Sequence, residues 1–367
     1  MATVLITGGA GFIGSHLADR LLALRHRVLV IDDLSTGRLK NIDHLLVHPA
    51  FHFARASITN ELVLDRLASQ ADIIVHLAAA VGVKLVVERP VHTIETNVAG
   101  TDAVLKVAHR YGCRVLVAST SEVYGKGVKL PFAESDDVLL GATDKSRWGY
   151  AASKMVDEFL ALAYHRERDL PVVVLRFFNT VGPRQTGHYG MVIPRLMRQA
   201  IKNEPLTVFG DGMQRRCFGD VSDAVDAVLR LMEHPDAPGK VFNVGNGREE
   251  ISILELARRI RTLTGSSSEI VFVPYSEAYA PGFEDMERRV PDTRRIEGLT
   301  GWQPKVSLTA TLARVQQYII ESEQLVGDVV PTPASTEAEK LHSVPANMSA
   351  GVSTSTPVGL AAAASAA

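Results

Sequence analysis

The feature that most narrows what this chain can fold into is a strand-to-helix turn at its very beginning. Val4-Leu5-Ile6 is a short apolar run, Thr7-Gly8-Gly9-Ala10-Gly11-Phe12-Ile13-Gly14 follows at once, and a helical pattern comes next. Ile13, Leu17, Leu21 and Leu24 recur at helical spacing, while His16, Asp19, Arg20 and Arg25 fall largely elsewhere, so one apolar face is left to pack on a sheet. Gly8, Gly11 and Gly14 are three apart, a looser spacing than the usual G-x-G-x-x-G. The physical demand is similar: a sharp turn, close approach of backbone N–H groups to a pyrophosphate, and an anion held at the positive end of a helix. Gly8, Gly11, Phe12, Ile13 and Gly14 are therefore the first candidate cofactor-binding residues.

A second strand, Arg27-Val28-Leu29-Val30-Ile31, runs into Asp32, 18 residues after Gly14. A carboxylate there accepts hydrogen bonds from the adenosine ribose hydroxyls and repels a 2′-phosphate, so the expected cofactor is NAD rather than NADP, Arg38 and Lys40 nearby notwithstanding.

At 367 residues, 46% of them hydrophobic, the chain can bury a large core. A net charge of −2 and the lack of any basic stripe interleaved with aromatic residues argue against a nucleic-acid partner. Cys113 and Cys217 are too few for a disulfide framework or a zinc site, so no metal is expected and a reducing compartment fits. The apolar stretches 73–83 and 170–175 fall well short of a membrane span. The N-terminus opens directly into a strand rather than a signal-peptide pattern, and the expected localisation is cytoplasmic.

Helix-like and strand-like segments then alternate: helices over 61–68, 97–110 and 152–168, strands over 73–75, 114–118 and 172–175. This is the pattern of an α/β, Rossmann-type doubly wound parallel sheet. From about Phe178 the texture changes, with Gly182-Pro183, Gly210-Asp211-Gly212 and Pro281-Gly282 punctuating shorter elements. The expected organisation is an NAD-binding domain over 1–178 that also recruits 220–242, and a smaller C-terminal substrate-binding lobe over 179–325. A helix is expected over 253–264, capped by Ser252 and closed by Gly265. Residues 331–367, biased to Ser, Thr, Ala and Pro, are expected to be a disordered tail.

Tyr150-Ala151-Ala152-Ser153-Lys154 places a phenol and an ammonium on one face at the start of a helix. A cation about 4 Å away at an effective dielectric near 20 is worth about 4 kcal/mol, enough to lower a phenol's pKa by roughly three units before desolvation. The expectation is a base poised near neutrality, with Lys154 also available to the nicotinamide ribose. The strand Val115-Leu116-Val117-Ala118 ends in Ser119-Thr120-Ser121-Glu122, which puts hydroxyls and a carboxylate at the ligand-binding edge of the sheet. Thr120 can hydrogen-bond a reacting oxygen and relay its proton to Tyr150.

These residues together resemble the extended short-chain dehydrogenase/reductase superfamily, and within it the NAD-dependent nucleotide-sugar epimerase/dehydratase family. The resemblance covers about residues 3–320. Besides the glycine turn, Asp32, Thr120, Tyr150 and Lys154, it rests on His76-Leu77-Ala78-Ala79, Asn97 with Gly100-Thr101, and Arg176-Phe177-Phe178-Asn179 followed by Gly182-Pro183-Arg184. It implies a nucleotide-sugar substrate, oxidation of its C4 hydroxyl by tightly held NAD, cofactor contacts at Leu77, Ala78, Ala79 and Asn97, and a homodimer through a helix pair. Asn179, Val192 and Arg216 are implied to surround the nucleotide, with kinship favouring a UDP-sugar. Ser57 departs from the family's usual adenine-binding aspartate.

Which reaction follows oxidation depends on the residues after Thr120. Simple 4-epimerases usually lack a carboxylate there, and dTDP-glucose 4,6-dehydratases would carry Asp-Glu where this chain has Ser121-Glu122. GDP-mannose 4,6-dehydratases resemble Thr-Ser-Glu but prefer NADP. UDP-glucuronate decarboxylases also resemble Thr-Ser-Glu, and the bifunctional aminoarabinose-pathway decarboxylases resemble three further stretches: Ser146-Arg147-Trp148-Gly149-Tyr150, Arg216-Cys217-Phe218, and the run from Gly282 to Pro291. In that likeness Arg289 meets the substrate carboxylate, unless Arg288-Arg289 is a solvated surface pair. A UDP-glucuronate decarboxylase is the leading expectation. A UDP-sugar 4-epimerase and a 4,6-dehydratase stay open, and so does an NAD-sensing regulatory protein, although the latter typically loses the tyrosine or lysine that this chain keeps.

Overall fold

Seven parallel strands form the central sheet, in the order β11-β6-β5-β4-β1-β2-β3. These strands are β1 (Thr3–Thr7), β2 (Arg27–Asp32), β3 (Phe51–Arg55), β4 (Ile73–His76), β5 (Arg114–Thr120), β6 (Val172–Phe177) and β11 (Lys240–Val244). The computed structural model describes residues 1–82, 86, 88–187, 191–278 and 286–327; the tail expected over 331–367, and residues 282–285 of the run ending at Pro291, lie outside the described residues. Strand residues alternate between the two faces: Val4, Ile6, Val28 and Val30 join one hydrophobic core, Leu5, Leu29 and Ile31 the other. Both faces are covered, which is why these strands read as continuous apolar runs.

The order reverses between β1 and β4, and at such a point the ends of neighbouring strands open a crevice for a ligand. The turn after β1 carries Gly8 and leads into α1 (Phe12–Ala23); α2 (Glu61–Ala68) follows β3, and α3 (Pro90–Tyr111) and α4 (Arg147–Arg168) pack against one another. Helix α3 starts seven residues before the expected 97 and α4 five before 152. Pro90 occupies the first turn of α3, where its missing N–H is harmless, and Gly112 in the left-handed conformation ends the helix.

Beyond β6 the chain builds smaller sheets from β7 (Thr180–Val181), β8 (Leu206–Phe209), β9 (Arg215–Cys217), β10 (Gly219–Asp220), β12 (Glu250–Ser252), β13 (Ile270–Val273) and β14 (Arg288–Arg289), paired as β7-β10, β8-β13 and β12-β9-β14. Helices α5 (Val192–Ile201), α7 (Ile253–Thr264) and α10 (Leu308–Gly327) share an apolar core there. Short helices α8 (Tyr275–Ala278) and α9 (Arg294–Thr300) lie between α7 and α10. The Ser252 side chain accepts from the Glu255 N–H at 3.1 Å and Gly265 closes α7 in the left-handed conformation, matching the expected caps. Helix α6 (Val221–Glu233) and β11 return to the large sheet, so the chain crosses between the two regions more than once.

Candidate active site

A single cavity of about 890 Å³ runs from the glycine turn to the β9/β14 sheet. Its wall includes Gly8, Gly11, Phe12, Ile13, Gly14, Asp32, Leu77, Ala78, Ala79, Thr120, Ser121, Glu122, Tyr150, Lys154, Asn179, Val192, Arg216 and Arg289. Asn97 is the one candidate that does not line it. Instead its side chain is buried, accepts from the Ala80 N–H at 2.8 Å and donates to the Ser153 hydroxyl at 3.1 Å, tying the strand-end loop to α4.

At the cofactor end, close packing demands glycine. A Cβ at Gly14 would lie 2.4 Å from the Gly8 carbonyl oxygen, and one at Gly8, whose φ is +72°, would lie 2.8 Å from the Ala78 nitrogen. Gly11 caps α1 without a side-chain hydrogen bond, and the first turn of α1 carries no acidic residue. The first-turn N–H groups therefore face the cavity with a positive helix end and no internal anion, which suits a diphosphate. Asp32 accepts from the Ala10 N–H at 2.9 Å and the Leu34 N–H at 2.8 Å, and its oxygens retain lone pairs for ribose hydroxyls. Burial holds its pKa above the usual carboxylate value despite those donors. Ser57, the departure from the family's aspartate, lines the cavity and shares a 2.8 Å hydrogen bond with Thr59. These residues fit NAD on their own chemistry.

Between the two ends Thr120 finishes β5, its hydroxyl accepts from the Glu122 N–H at 3.2 Å, and it lies close enough to the Tyr150 phenol, from the first turn of α4, to favour that phenol's ionised form. The expected lowering of the phenol by Lys154 is corrected here. Burial, followed by the charges of Glu122 and Asp157, pushes the Tyr150 phenol well above its ordinary value, and the nearby Thr120 hydroxyl pulls it down only in part. The reason is visible in the geometry: the Lys154 ammonium is paired with Asp157 Oδ2 at 2.7 Å.

At the far end, Glu122 Oε1 accepts from Arg147 Nη2 at 3.4 Å and from Arg289 Nη1 at 3.2 Å. All three side chains are mostly buried. Two guanidiniums thus converge on one wall of the cavity around Glu122, and a guanidinium is the group that grips a carboxylate in two-pronged fashion. The two neighbouring arginines of β14 part company: Arg288 is half exposed and bidentate on Glu250 at 2.8 Å, whereas Arg289 faces the cavity. Asn179 donates to the Cys217 carbonyl at 3.0 Å, and Arg216 to the Arg215 and Glu287 carbonyls. Arg195 stacks 4.0 Å above Phe209 on the same wall.

Sequence reasoning quoted Arg147 only as part of a motif and gave no role to Asp157, Gln214 or Tyr275, the last two of which line the cavity. The signal for Asp157 was its spacing of three from Lys154.

Residues 4–245 match the NAD dependent epimerase/dehydratase family. The chain is 43% identical over 320 residues to a UDP-N-acetyl-alpha-D-glucosaminuronate decarboxylase of Bacillus cytotoxicus, covering 87% of this chain and 98% of that protein. It is 38% identical over 315 residues to UDP-glucuronic acid decarboxylase 2 of Arabidopsis thaliana, covering 83% of this chain and 65% of that longer protein. Among solved structures, the UDP-glucuronic acid 4-epimerase of Bacillus cereus, in complex with UDP-glucuronic acid and NAD, superposes with a TM-score of 0.79 at 29% identity, covering 87% of this chain and 99% of that one. With the glycine cradle, the Thr120–Tyr150–Lys154 centre and these likenesses in agreement, the chain is an enzyme and belongs to the NAD-dependent epimerase/dehydratase family.

Proposed function

We propose that this enzyme decarboxylates a UDP-linked uronic acid, glucuronate or its 2-acetamido analogue. The observation that carries the reading is the Arg147–Glu122–Arg289 cluster, set in the same cavity as Thr120 and Tyr150. The likeness to decarboxylases along most of the chain supports it.

Gly8, Gly11, Gly14 and the N-terminus of α1 would hold the diphosphate of NAD, with Asp32 on the adenosine ribose and Lys154 beside the nicotinamide half. NAD supplies a hydride acceptor for C4 of the sugar. Tyr150, through Thr120, takes the C4 hydroxyl proton. The resulting 4-keto uronate is a β-keto acid whose C5–C6 bond breaks to release CO₂. Arg147 and Arg289 hold the carboxylate while it is present. As it leaves, the negative charge passes to the C4 oxygen, where the Tyr150 and Thr120 hydroxyls stabilise it. The enolate then takes up one proton at C5, balancing the one removed from the C4 hydroxyl, to give the 4-keto pentose. Asn179, Val192 and Arg216 line the nucleotide end, and the Arg216 guanidinium is the group suited to a phosphate.

Val91 and Ile94 on α3 and Val156 and Phe159 on α4 are exposed apolar side chains on two helices packed together. This face supports a homodimer formed through the helix pair. No helix among the described residues is long and apolar enough to cross a membrane. The two cysteines, both free and buried, support a cytoplasmic setting.

Incubation with NAD and, separately, UDP-glucuronate and UDP-N-acetylglucosaminuronate, followed by mass spectrometry, tests the reading. Loss of CO₂ from either supports it. An unchanged mass with altered retention would assign a 4-epimerase, and loss of water a dehydratase.

A further inference from the structure

The helix that carries Tyr150 also carries an acid for which the scheme above has no use. Asp157 on α4 is fully buried, and its Oδ2 accepts from Lys154 Nζ at 2.7 Å. Its Oδ1 has no donor in bonding geometry, while Thr101 of α3 lies close enough to favour its charged form. Behind Thr101 stands His76 at the end of β4. Its Nε2 lies 3.0 Å from the Thr101 hydroxyl and its Nδ1 2.8 Å from the Thr7 hydroxyl, which in turn accepts from the Ala78 N–H at 3.2 Å. Burial pushes the His76 pKa down to about 3, so its ring is neutral. A line of buried polar groups therefore runs from the strand that ends in the glycine turn to the cavity-lining lysine.

Surface Lys–Asp pairs at this spacing are commonplace and weak. This one is different because both side chains are shielded from solvent, where a charge pair is costly to bury and is a poor way to add stability. We propose that Asp157 is a positioning residue for the oxidation step: it anchors the Lys154 ammonium at the cavity wall and balances its charge, so that the phenol feels a compensated pair rather than a bare cation. The proposal rests on Tyr150 as the base and holds whichever sugar acid is taken.

The charged groups around the phenol are few. Glu122 comes from the turn after β5 and has Arg147 and Arg289 on it. Lys154 and Asp157 share its own helix. His76 is neutral, and Glu158 is engaged by Arg176 and Ser119. Of these, Glu122 and Asp157 oppose ionisation of the phenol.

The test is the pH dependence of kcat/KM for Asp157→Asn at saturating NAD, whose positive ring favours the phenolate and draws the limb back toward the working range, with whichever UDP-uronate the wild type turns over. The acidic limb is expected to move to lower pH by about one unit, because one buried negative charge has been removed at nearly constant shape. A limb that superimposes on wild type overturns the proposal, whatever the height of the profile, since a merely structural aspartate changes height and not midpoint. Thermal unfolding without nucleotide gives a second reading that is independent of turnover. Lys154→Met, which strands the carboxylate, is expected to melt well below wild type, and the Lys154→Met/Asp157→Asn double variant to regain most of the loss. A double variant no more stable than Lys154→Met overturns the proposal. Tyr150→Phe keeps the two failures apart, since retained turnover there removes the base itself rather than its neighbour.

Discussion

The two ends of the cavity are built by different means. The cofactor end is made of backbone: glycines that let one strand end approach another, and a helix N-terminus aimed at the space between. Its residues are close in sequence, most lying between Gly8 and Asp32. The acid end is made of side chains brought from three separate segments: Glu122 after β5, Arg147 at the start of α4, and Arg289 on β14. The lesson is that the first half is specified by local chain geometry and the second by the tertiary fold. Substitutions should therefore separate the two.

Tyr150 is where the halves meet, so its loss should have the largest effect. Tyr150→Phe is expected to cut turnover by roughly 10²–10⁴-fold with NAD affinity kept, as read by steady-state kinetics and NAD titration. Arg289→Ala should lower turnover of a UDP-uronate by about 10²–10³-fold, again with NAD binding spared, and a lysine there should rescue little because it lacks the two-pronged grip. Surviving glucuronate turnover would break the assignment of the acid end. Gly14→Ala should do the converse. With its Cβ 2.4 Å from the Gly8 carbonyl oxygen, it is expected to weaken NAD binding by about 10- to 100-fold in a fluorescence titration.

A smaller effect is expected from pH at Asp32. Burial raises its pKa, so the folded chain takes up a proton there more readily than the unfolded chain, and acidification relieves the cost of burying its charge. NAD affinity moves the other way. Ribose hydroxyls need the carboxylate form, so affinity should fall as pH drops through a value above about 3.9, and Asp32→Asn should flatten that dependence. Arg288→Ala, next to Arg289 in sequence but on the solvated side, should change turnover and melting hardly at all, less than about twofold in rate.

The same contrast explains what could be read from the sequence. Gly8, Gly11, Gly14 and Asp32 announce themselves because their spacing is the geometry. The strands of the central sheet show as apolar runs because both faces are covered. The starts of α3 and α4 escape the periodicity for a physical reason: Val91 and Ile94 are exposed and add nothing to the core stripe, while Arg147 turns inward to the cavity and Trp148 packs in a separate apolar cluster with Tyr124 and Phe132. Pro90 was the overlooked signal. Asp157 reads as a surface acid in the sequence, and only the packing of α3 on α4 makes it interior. The phenol was misjudged because a spacing of four shows that Lys154 can reach Tyr150 but not that Asp157 claims its ammonium first.

The most direct test of the whole account follows the carboxyl carbon. With UDP-glucuronate and its 2-acetamido analogue each labelled with ¹³C at C6, the enzyme and NAD should convert at least one into labelled CO₂, in step with loss of that sugar nucleotide, and neither Tyr150→Phe nor Arg289→Ala should do so at a comparable rate. Consumption of the sugar nucleotide with all the label retained in the product would contradict it.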